Sequence, residues 1–395
     1  MTKETSWFEG SESTHRVARA ILKHGPISRT SLASMQGLSL GAVSRIASDL
    51  IHEGVVEESL RCDADLVQTA HNSHADMNTN RRGRPQTGLR VRPAGHSFVG
   101  VHVQHGKAEV LAVDAACAML ASPRSHMLEP SSSLKDVCHQ IGAMIAEYVL
   151  DASLKPAKVA LSLHGRMIGG NGFCHTPDPG SVQDADVVGI LQDSCGIESM
   201  LVDDLDSLLM YRGWFGNGHK SSRLAAVMID RDVSFSICEN GVLQGNGTRT
   251  GNVIGHIPLD ATGPRCASGH RGCSQCLTCD SLAEEYSRII GKVCGYDDLV
   301  SDAHAGIAQA RRFIDRLGVR VGTLLATIAT FALPEKLLVC GALAPLLNLN
   351  QDSVRSGINW YRHGDSSELH FEIVDTSSCV LARAAAAESI VRYLG

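Results

Sequence analysis

The stretch "RCASGHRGCSQCLTC", residues 265 to 279, concentrates side chains that bind metal ions. It holds four of the thirteen cysteines of the chain. Cysteine and histidine side chains at close spacing are the usual ligands of structural zinc, which is tetrahedral. The four cysteines are unevenly spaced, so the pattern by itself leaves open which of them bind a metal. It also leaves open whether the metal is catalytic or only stabilises the fold.

The cysteine content also bears on the cellular compartment. The N-terminus, "MTKETSWFEG", has neither an apolar segment nor a cleavage-site pattern, so it does not resemble a secretion signal. The longest apolar stretch, residues 321–333, is interrupted by glycine and threonine and is too short to span a bilayer. We therefore expect a cytoplasmic protein without a membrane partner. In that compartment clustered cysteines are metal ligands more often than disulfides.

Charge is divided unevenly along the 395 residues, whose net charge is −6. Residues 1–92 carry 12 lysines and arginines against 10 acidic residues, a net of +2, and the rest carries 24 against 32, a net of −8. A mildly basic front on an acidic body suits a small nucleic-acid-binding module joined to a separate domain. The length of the chain also favours more than one domain.

Two helical patterns open the N-terminal segment. The first has an apolar face that includes Val17 and Ile21 and stops before Gly25-Pro26. The second is "SRTSLASMQG", in which Ser28 can cap the helix and Gly37 ends it. Its apolar side chains, expected to pack inward, are Leu32, Ala33 and Met35.

A third helix follows the short turn "GLSL" and carries the pattern of a DNA-recognition helix. Its apolar residues, including Val43, Ala47 and Leu50, repeat at helical spacing and bury one stripe. Helix, tight turn and helix, followed by the wing-like "EGVVEES", predict a winged helix-turn-helix over residues 1–60. The alternative is an ordinary three-helix bundle. The residues expected at the DNA major groove are Ser39, Gly41, Ala42, Ser44 and Arg45.

A basic segment, "RRGRPQTGLRVR", follows the wing. Arg81, Arg82, Gly83 and Arg84 resemble an AT-hook core, in which an extended strand places arginines in an A·T-rich minor groove. The alternative is a solvated linker. Residues 61–94 as a whole are predicted to form the wing tip and this linker.

The body of the chain, from "SFVGVHVQHGKAEVLAVDAACAML" onward, resembles the ROK family of repressors, uncharacterised reading frames and sugar kinases. Further matching stretches are "LVDDLDSLLMYRGWFGNG", "GNVIGHIPLDATGPRCASGHRGC" and "DTSSCVLARAAAAESIVRYL". The resemblance covers nearly the whole chain, and the N-terminal helices and "RRGRP" are similar to the repressor branch. It implies a homodimer or tetramer that binds operator DNA.

The fold implied by this resemblance is α/β, with two lobes of the actin-like ATPase type around a sugar-binding cleft. Alternating strand-like and helical stretches also predict an α/β class. We expect a smaller lobe at residues 95–200, completed by a C-terminal helix at about 380–395. A larger lobe at 201–379 would carry the zinc-type turn and the dimerisation surface.

The ATP-binding motifs of the family are altered. A ROK kinase begins its first strand with an Asp-x-Gly phosphate turn, and the matching positions are His102 and Gln104. The second phosphate loop, normally a Gly-Thr-Gly run, reads "IDRDVSFSI", where Asp230 and Asp232 would repel phosphate. We therefore expect neither ATP binding nor enzymatic phosphoryl transfer.

The resemblance places a sugar site at Asp203, Asp204, His256 and Gln275. Asp204 has the position of the family's catalytic base, whose carboxylate accepts a proton from a sugar hydroxyl. Val253 replaces a glutamate and removes a contact. The pocket then either takes a different ligand, such as a modified or phosphorylated sugar, or is vestigial in a domain that only dimerises. The remaining polar cluster favours a ligand.

The family's zinc pattern is a histidine followed ten residues later by Cys-x-Cys-Gly-x-x-Gly-Cys. It falls on His256, Cys266 and Cys273, but Ser268 replaces the middle cysteine and is a poor zinc ligand. We expect a structural zinc with Cys276 as the replacement ligand. The alternatives are Cys279, water or Ser268 itself in that place, or an empty site with free thiols.

Overall fold

The computed structural model describes residues 6–59, 87–104, 106–129, 133–163, 166–168, 173–175, 185–244 and 254–395. Its architecture is mixed α/β, as the sequence predicts. A small N-terminal unit of three helices and a three-stranded sheet precedes two larger units, each built around a five-stranded sheet.

The N-terminal unit has the element order of a winged helix-turn-helix. Its elements are α1 (Glu12–His24), β1 (Ile27–Ser28), α2 (Arg29–Gln36), α3 (Leu40–His52), β2 (Val56–Ser59) and β3 (Gly88–Val91). The strands form a sheet in the order β1-β3-β2. The side chains of Ser28 and Ser39 cap α2 and α3 by accepting hydrogen bonds from the backbone amides of Ser31 and Ala42, which satisfies donors that a helix start leaves unpaired.

Two details of this unit differ from the expectations. Met35 is 45% exposed rather than packed, and only Leu32 of the three apolar α2 residues is fully buried. Met35 lies beside the exposed Ser34 near the C-terminal end of α2, where the helix reaches the surface, and Leu32 alone anchors the helix in the core. The segment 88–91 is the second wing strand, paired with β2 and β1, although it lies in the predicted linker.

The first lobe follows directly. Its elements are β4 (Ser97–Gln104), β5 (Lys107–Asp114), β6 (Arg124–Met127), α4 (Leu134–Asp151), β7 (Pro156–Leu163), β8 (Arg166–Ile168), β9 (Phe173–His175), β10 (Ala185–Asp186), α5 (Val187–Cys195) and β11 (Ser199–Val202). The main sheet has the order β11-β7-β4-β5-β6, and β8 to β10 form a small separate sheet. The strands β4, β7 and β11 are parallel, so their carboxyl ends lie at one edge.

The second lobe contains the rest of the chain. Its elements are α6 (Asp204–Trp214), β12 (Arg223–Ile229), β13 (Val233–Glu239), β14 (Val242–Leu243), α7 (Cys279–Ile290), α8 (Tyr296–His304), α9 (Ala308–Ala332), β15 (Lys336–Cys340), α10 (Ala344–Leu349), α11 (Gln351–Tyr361), β16 (Phe371–Ile373) and α12 (Ser378–Tyr393). The sheet order is β14-β13-β12-β15-β16.

The two large sheets have the same topology. In chain order, the first strand of each sheet (β4 or β12) pairs antiparallel with the second (β5 or β13). On its other side it pairs in parallel with the fourth strand (β7 or β15), which pairs in parallel with the fifth (β11 or β16). The carboxyl ends of parallel strands are where ligands bind in open α/β sheets. A ligand site is therefore expected where the carboxyl ends of these parallel strands lie.

Helix α12 packs on the first-lobe sheet although it is the last element of the chain. It contacts β4, β5 and β7, and a Cβ at Gly100 would lie 1.8 Å from the carbonyl oxygen of Ala382. Glycine is thus required at this crossing, because any side chain would separate the helix from the sheet.

The N-terminal unit shares a core with the first lobe. Trp7 stacks on Tyr393 with ring centroids 6.0 Å apart, and its backbone amide donates to the Tyr393 carbonyl. His15 forms a hydrogen bond with the Leu394 carbonyl at 2.8 Å. These contacts join α1 to the end of α12. Within the described ranges, no helix is both long and apolar enough to cross a membrane.

Candidate functional site

Four side chains of the cysteine-rich turn converge in the manner of metal ligands. They are His256, Cys266, His270 and Cys273, and their ligand atoms all lie within 4.8 Å of one another. The Sγ of Cys266 is 3.7 Å from each histidine Nδ1, and the Sγ of Cys273 is 3.6 Å from Nδ1 of His256. Ligands at ordinary zinc bond lengths in a tetrahedron have S···N separations of about 3.6 Å. The residues therefore fit a tetrahedral zinc ion.

The backbone of the turn is built to hold this arrangement. Gly272 has a φ of +57°, and a Cβ there would lie 1.5 Å from the Asp260 carbonyl oxygen. Its own carbonyl accepts hydrogen bonds from the amides of Leu259 and Asp260. Asp260 in turn binds Arg320 of α9 at 2.9 Å, and Arg320 also pairs with Glu285 of α7 at 2.7 Å. The turn is thus tied to two helices of the second lobe.

The prediction of Cys276 as the fourth ligand is corrected by this geometry. The cluster contains His270, two residues beyond the Ser268 that replaces the expected cysteine. Cys276 is 3% exposed, belongs to the hydrophobic core of the second lobe, and burial raises the pKa of its thiol to about 12. A thiol that resists ionisation inside an apolar core is a poor metal ligand. His270 has no counterpart in the family's zinc pattern, so the pattern did not indicate it.

The other sequence-predicted cysteine, Cys279, also lies outside the cluster. It begins α7, is buried, and its Sγ contacts Oδ1 of Asp230 at 3.8 Å. Burial and this carboxylate raise the pKa of Cys279 to about 12. Cys266 differs, because burial would raise its pKa but hydrogen bonds from Cys273 and nearby backbone amides outweigh that effect and lower it. A lowered pKa favours the thiolate form that binds metals.

A second polar cluster lies at the carboxyl edge of the first-lobe sheet. His102 near the end of β4 is the register partner of Ser162 in β7, and Asp204 opens α6 just beyond β11. Oδ1 of Asp204 lies 3.4 Å from Nδ1 of His102, whose side chain is 1% exposed. Among the residues that the structure describes, none forms a hydrogen bond with the ring nitrogens of His102, the Ser162 hydroxyl or Oδ1 of Asp204.

Such unpartnered buried groups are costly. A buried donor or acceptor without a partner costs about 1–3 kcal/mol, so native proteins rarely leave several together. A hydroxyl-bearing ligand or water at this edge would satisfy them. His102 and Ser162 were not among the predicted ligand residues, because the sequence showed His102 only as the replacement of a kinase aspartate.

The remaining predicted ligand residues are divided between this edge and the turn. Asp203 is the N-cap of α6, and its Oδ1 accepts from the amides of Leu205 and Asp206. His256 belongs to the metal-type cluster, and Gln275 lies in the short 3-10 turn that follows it. In the part of the chain that the structure describes, no hydrogen bond or ion pair joins Asp204 to His256 or Gln275. Val253 lies outside the described residues.

The predicted second phosphate loop forms a tight hairpin. Residues 230–232 connect β12 to β13, and the amide of Asp230 donates to the carbonyl of Asp232 at 3.0 Å. Gly341, after β15, has a φ of +96°, and a Cβ there would lie 2.4 Å from the Ile229 carbonyl oxygen. Packing against β12 therefore suffices to explain a glycine at this turn.

The recognition-helix residues lie on the outer face of α3. Ser39, Gly41 and Arg45 are exposed, and Ala42 and Ser44 are half-buried. Nothing lies within 4 Å of a Cβ built at Gly41, so another molecule can approach the backbone closely there. Leu40, which is not among the residues predicted at the major groove, is 50% exposed on the same first turn. The hook residues Arg81, Arg82, Gly83 and Arg84 fall outside the described residues.

Together these features define a two-lobed, sugar-kinase-like body that carries an N-terminal winged helix. The chain belongs to the ROK family, whose model matches residues 98–387.

Two curated relatives illustrate the likeness. The chain is 24% identical over 360 residues to the DNA-binding transcriptional repressor Mlc of Escherichia coli strain K12, covering 86% of this chain and 84% of that protein. It is 22% identical over 359 residues to the N-acetylglucosamine repressor of Escherichia coli O157:H7, covering 87% and 83%. Both matches cover more residues than the body alone contains, so each also includes some of the chain that precedes the body.

Solved structures agree on the fold. A ROK family transcriptional regulator described as a homolog of the E. coli MLC protein superimposes with a TM-score of 0.75 at 19% identity, covering 96% of both chains. The ROK hexokinase of Thermus thermophilus gives a TM-score of 0.61 at 17% identity and covers 74% of this chain but 97% of its own. Both solved structures therefore match the actin-like body of this chain, and the regulator structure also covers most of the residues outside the body.

Proposed function

We propose that this protein is a DNA-binding transcriptional repressor of carbohydrate-related genes that senses a sugar or sugar derivative. The observation that carries the proposal is the similarity to repressors over more than four fifths of the chain, together with the regulator structure that covers 96% of it. The protein would act in the cytoplasm, as a homodimer that places two winged helices on a pseudo-palindromic operator.

The exposed face of α3 supports the DNA-binding part. Gly41 permits close approach of the backbone, and Arg45 is exposed and can reach a guanine edge or a phosphate. Ser39, Ala42 and Ser44 line the same first turns and would fix the helix in the groove. The arginines at 81, 82 and 84 would add contacts in an adjacent A·T-rich minor groove.

The homodimer is supported by exposed aromatic side chains on the second lobe. Phe331 at the end of α9 and Trp360 at the end of α11 are 84% and 83% exposed, and the two helices pack against each other. Exposed large apolar side chains on neighbouring helices are a feature of many protein interfaces. This surface belongs to the larger lobe, where dimerisation is expected.

Zinc would be held by His256, Cys266, His270 and Cys273. Two thiolates and two imidazoles form a closed ligand set, which is typical of structural rather than catalytic zinc. The ion would supply cross-links within the turn, and its role would be to position the backbone that leads to Gln275. The ligand cleft would be formed by Asp203, Asp204, His256 and Gln275, with His102 and Ser162 added on the first-lobe side.

Phosphoryl transfer is not part of this proposal. The position of the family's phosphate-turn aspartate is taken by His102, which is buried against Asp204. The hairpin at residues 230–232 presents carboxylates where a nucleotide phosphate would need cations or amide donors. A ligand bound in the cleft would instead change the relative orientation of the lobes and thereby the spacing of the two winged helices.

The proposed function is tested by an electrophoretic mobility shift with duplex DNA from upstream of the protein's own gene. We expect a complex that resists excess nonspecific competitor at moderate salt, because base contacts add to the salt-sensitive phosphate contacts. A shift that disappears with competitor for every upstream fragment would contradict the proposal.

The cleft gives a separate prediction. Among a panel of sugars and sugar phosphates, at least one should raise the melting temperature, since a ligand at 100 times its Kd stabilises the folded state by about 2.7 kcal/mol. Asp204→Asn should reduce that shift, whereas Asp193→Asn, an exposed aspartate of α5, should leave it unchanged. If no compound shifts the wild-type protein, the pocket is vestigial. ATP turnover with any of these sugars, lost in Asp204→Asn, would contradict the absence of kinase activity.

A further inference from the structure

A cleft lies between the winged helix and the body, at the end of α6 that is opposite to Asp204 of the proposed sugar site. Its volume is about 610 Å³, within the range of roughly 300–1,000 Å³ that is usual for small-molecule sites. One wall consists of α1 and the end of α2. The other consists of the end of α6, residues 219–222, the β13–β14 hairpin and the end of α12. We call it the interdomain cleft.

The interdomain cleft is lined by an excess of positive charge. Its permanent cations are Arg16, Arg19, Lys23, Lys220 and Arg392. Among the described lining residues the one carboxylate is Glu388, and it is already occupied. It accepts hydrogen bonds from Arg392 and, at 2.5 Å, from the Ser207 hydroxyl. The remaining cations therefore have no anion in the cleft to balance them.

The three cations of α1 lie on one face of the helix, because their spacing is i, i+3 and i+7. Arg16 donates to the carbonyl and the side chain of Gln36, which are neutral. For Arg19 and Lys23 no carboxylate partner is found in the described ranges. Like charges at this spacing repel one another, so an anion that bridges them would be favoured.

Two titratable groups on the α1 side of the cleft have pKa values below their ordinary range, mainly because they are buried. Burial lowers the pKa of Lys23, whose Nζ lies 5.9 Å from the ring centroid of Trp214. Burial also lowers the pKa of His24, and the charges of Lys23 and His219 lower it further. A bound anion would offset both effects by favouring the protonated forms.

The floor of the cleft is apolar and firmly held. Trp214 is 7% exposed, and its indole N–H donates to the Gly241 carbonyl at 3.0 Å. The other apolar lining residues are Ala20, Met35, Met210, Val242, Leu243 and Val391. A cavity with an apolar floor and cationic rims fits an organic anion better than an inorganic ion alone, because both parts of the ligand find complementary surface.

We propose that the interdomain cleft binds a small organic polyanion that carries phosphate groups. The phosphates would bridge the cations of α1 to Lys220 of the body, with the organic part against Trp214. Such a ligand holds α1 in a fixed orientation to α6 and α12. Binding of this ligand would therefore regulate the DNA-binding unit separately from the sugar cleft, whether or not the sugar cleft binds a ligand.

The test is calorimetric titration of the full-length protein with pyrophosphate, which has the required charge and none of the hydroxyls that a sugar site would need. We expect saturable binding that weakens with salt. In the Arg19→Gln/Lys23→Gln variant, binding should weaken at least about tenfold, because charge-assisted hydrogen bonds to phosphate are lost. The matched control is Lys292→Gln/Arg312→Gln, two exposed cations elsewhere, which should bind as the wild type does. Asp204→Asn should also bind normally.

Two results would overturn the proposal. One is pyrophosphate binding that is absent in the wild type or equal in the wild type and the Arg19→Gln/Lys23→Gln variant. The other is a combination of two findings: the Arg19→Gln/Lys23→Gln variant binds random-sequence duplex DNA more weakly than the wild type, and pyrophosphate does not compete with DNA for the wild type. The cleft cations would then contact the DNA backbone instead of a small anion.

Discussion

Replacing His270 by alanine should deprive the purified protein of zinc. The variant would keep one histidine and two cysteines, an incomplete set for a closed tetrahedral site. Losing a mere hydrogen-bond partner of a ligand costs about 10–100-fold in metal affinity, so loss of the ligand itself should cost more than about 100-fold. Metal content per chain, measured by emission spectrometry after dialysis against a mild chelator, gives the answer.

The matched variant is Cys276→Ala, because Cys276 lies in the core beside the turn and not in the cluster. It should retain zinc, with only the stability loss of a small core truncation. The two variants separate the two assignments of the fourth ligand. Zinc retained in His270→Ala and lost in Cys276→Ala would show that the turn rearranges around the ion and that the structure-based assignment is wrong.

Loss of zinc should also lower the thermal stability of the wild-type protein. The metal-binding free energy of a structural site contributes to folding, and here the turn is tied through Arg320 to α7 and α9. Chelation should therefore lower the melting temperature of the wild type and leave His270→Ala unaffected. Equal sensitivity of both proteins to the chelator would contradict this.

Replacing Arg45 by alanine is expected to reduce specific DNA binding strongly. A side chain that reads a guanine edge contributes about 1–3 kcal/mol of discrimination, so each half-site should lose roughly 5–150-fold in affinity. Arg45 is exposed and no ion pair holds it within the described residues, so its removal should not affect folding. Fluorescence anisotropy with operator and random duplexes measures the two affinities separately.

Arg312→Ala provides the control, because Arg312 is an exposed arginine of α9 in the second lobe. It should leave both affinities unchanged. If Arg45→Ala weakens binding to operator and random DNA by the same factor, Arg45 contacts phosphate and not a base. If neither affinity changes, α3 does not enter the major groove.

The zinc-type turn shows which metal ligands could be predicted from the sequence and which could not. The resemblance to the family's zinc pattern implied His256, Cys266 and Cys273 as ligands. The fourth position depended on which side chain points inward, and that is decided by packing. Cys276 packs in the core of the second lobe. His270 stays at the surface of the turn, where its Nδ1 lies 3.1 Å from Nδ1 of His256.

The ligand cleft was less accessible to sequence reasoning. Asp204 could be located from the motif that surrounds it. His102 and Ser162 are 60 residues apart in the chain, and only the parallel pairing of β4 with β7 makes them neighbours. The same pairing with β11 brings Asp204 beside them. No local pattern records such contacts, because strand register is a property of the whole sheet.

By itself, the sequence determined the elements whose information is local: the three N-terminal helices with their serine caps, the α/β alternation, and the spacing of the zinc-type turn. Helix caps, apolar periodicity and glycine turns all act within a few residues, so they can be read in order along the chain. The tertiary structure alone decided that His270 joins the metal cluster, that His102 lies against Asp204, and that α1 faces the body across a cationic cleft. Each of these depends on the folding of distant segments onto a common core, where burial selects which side chains meet.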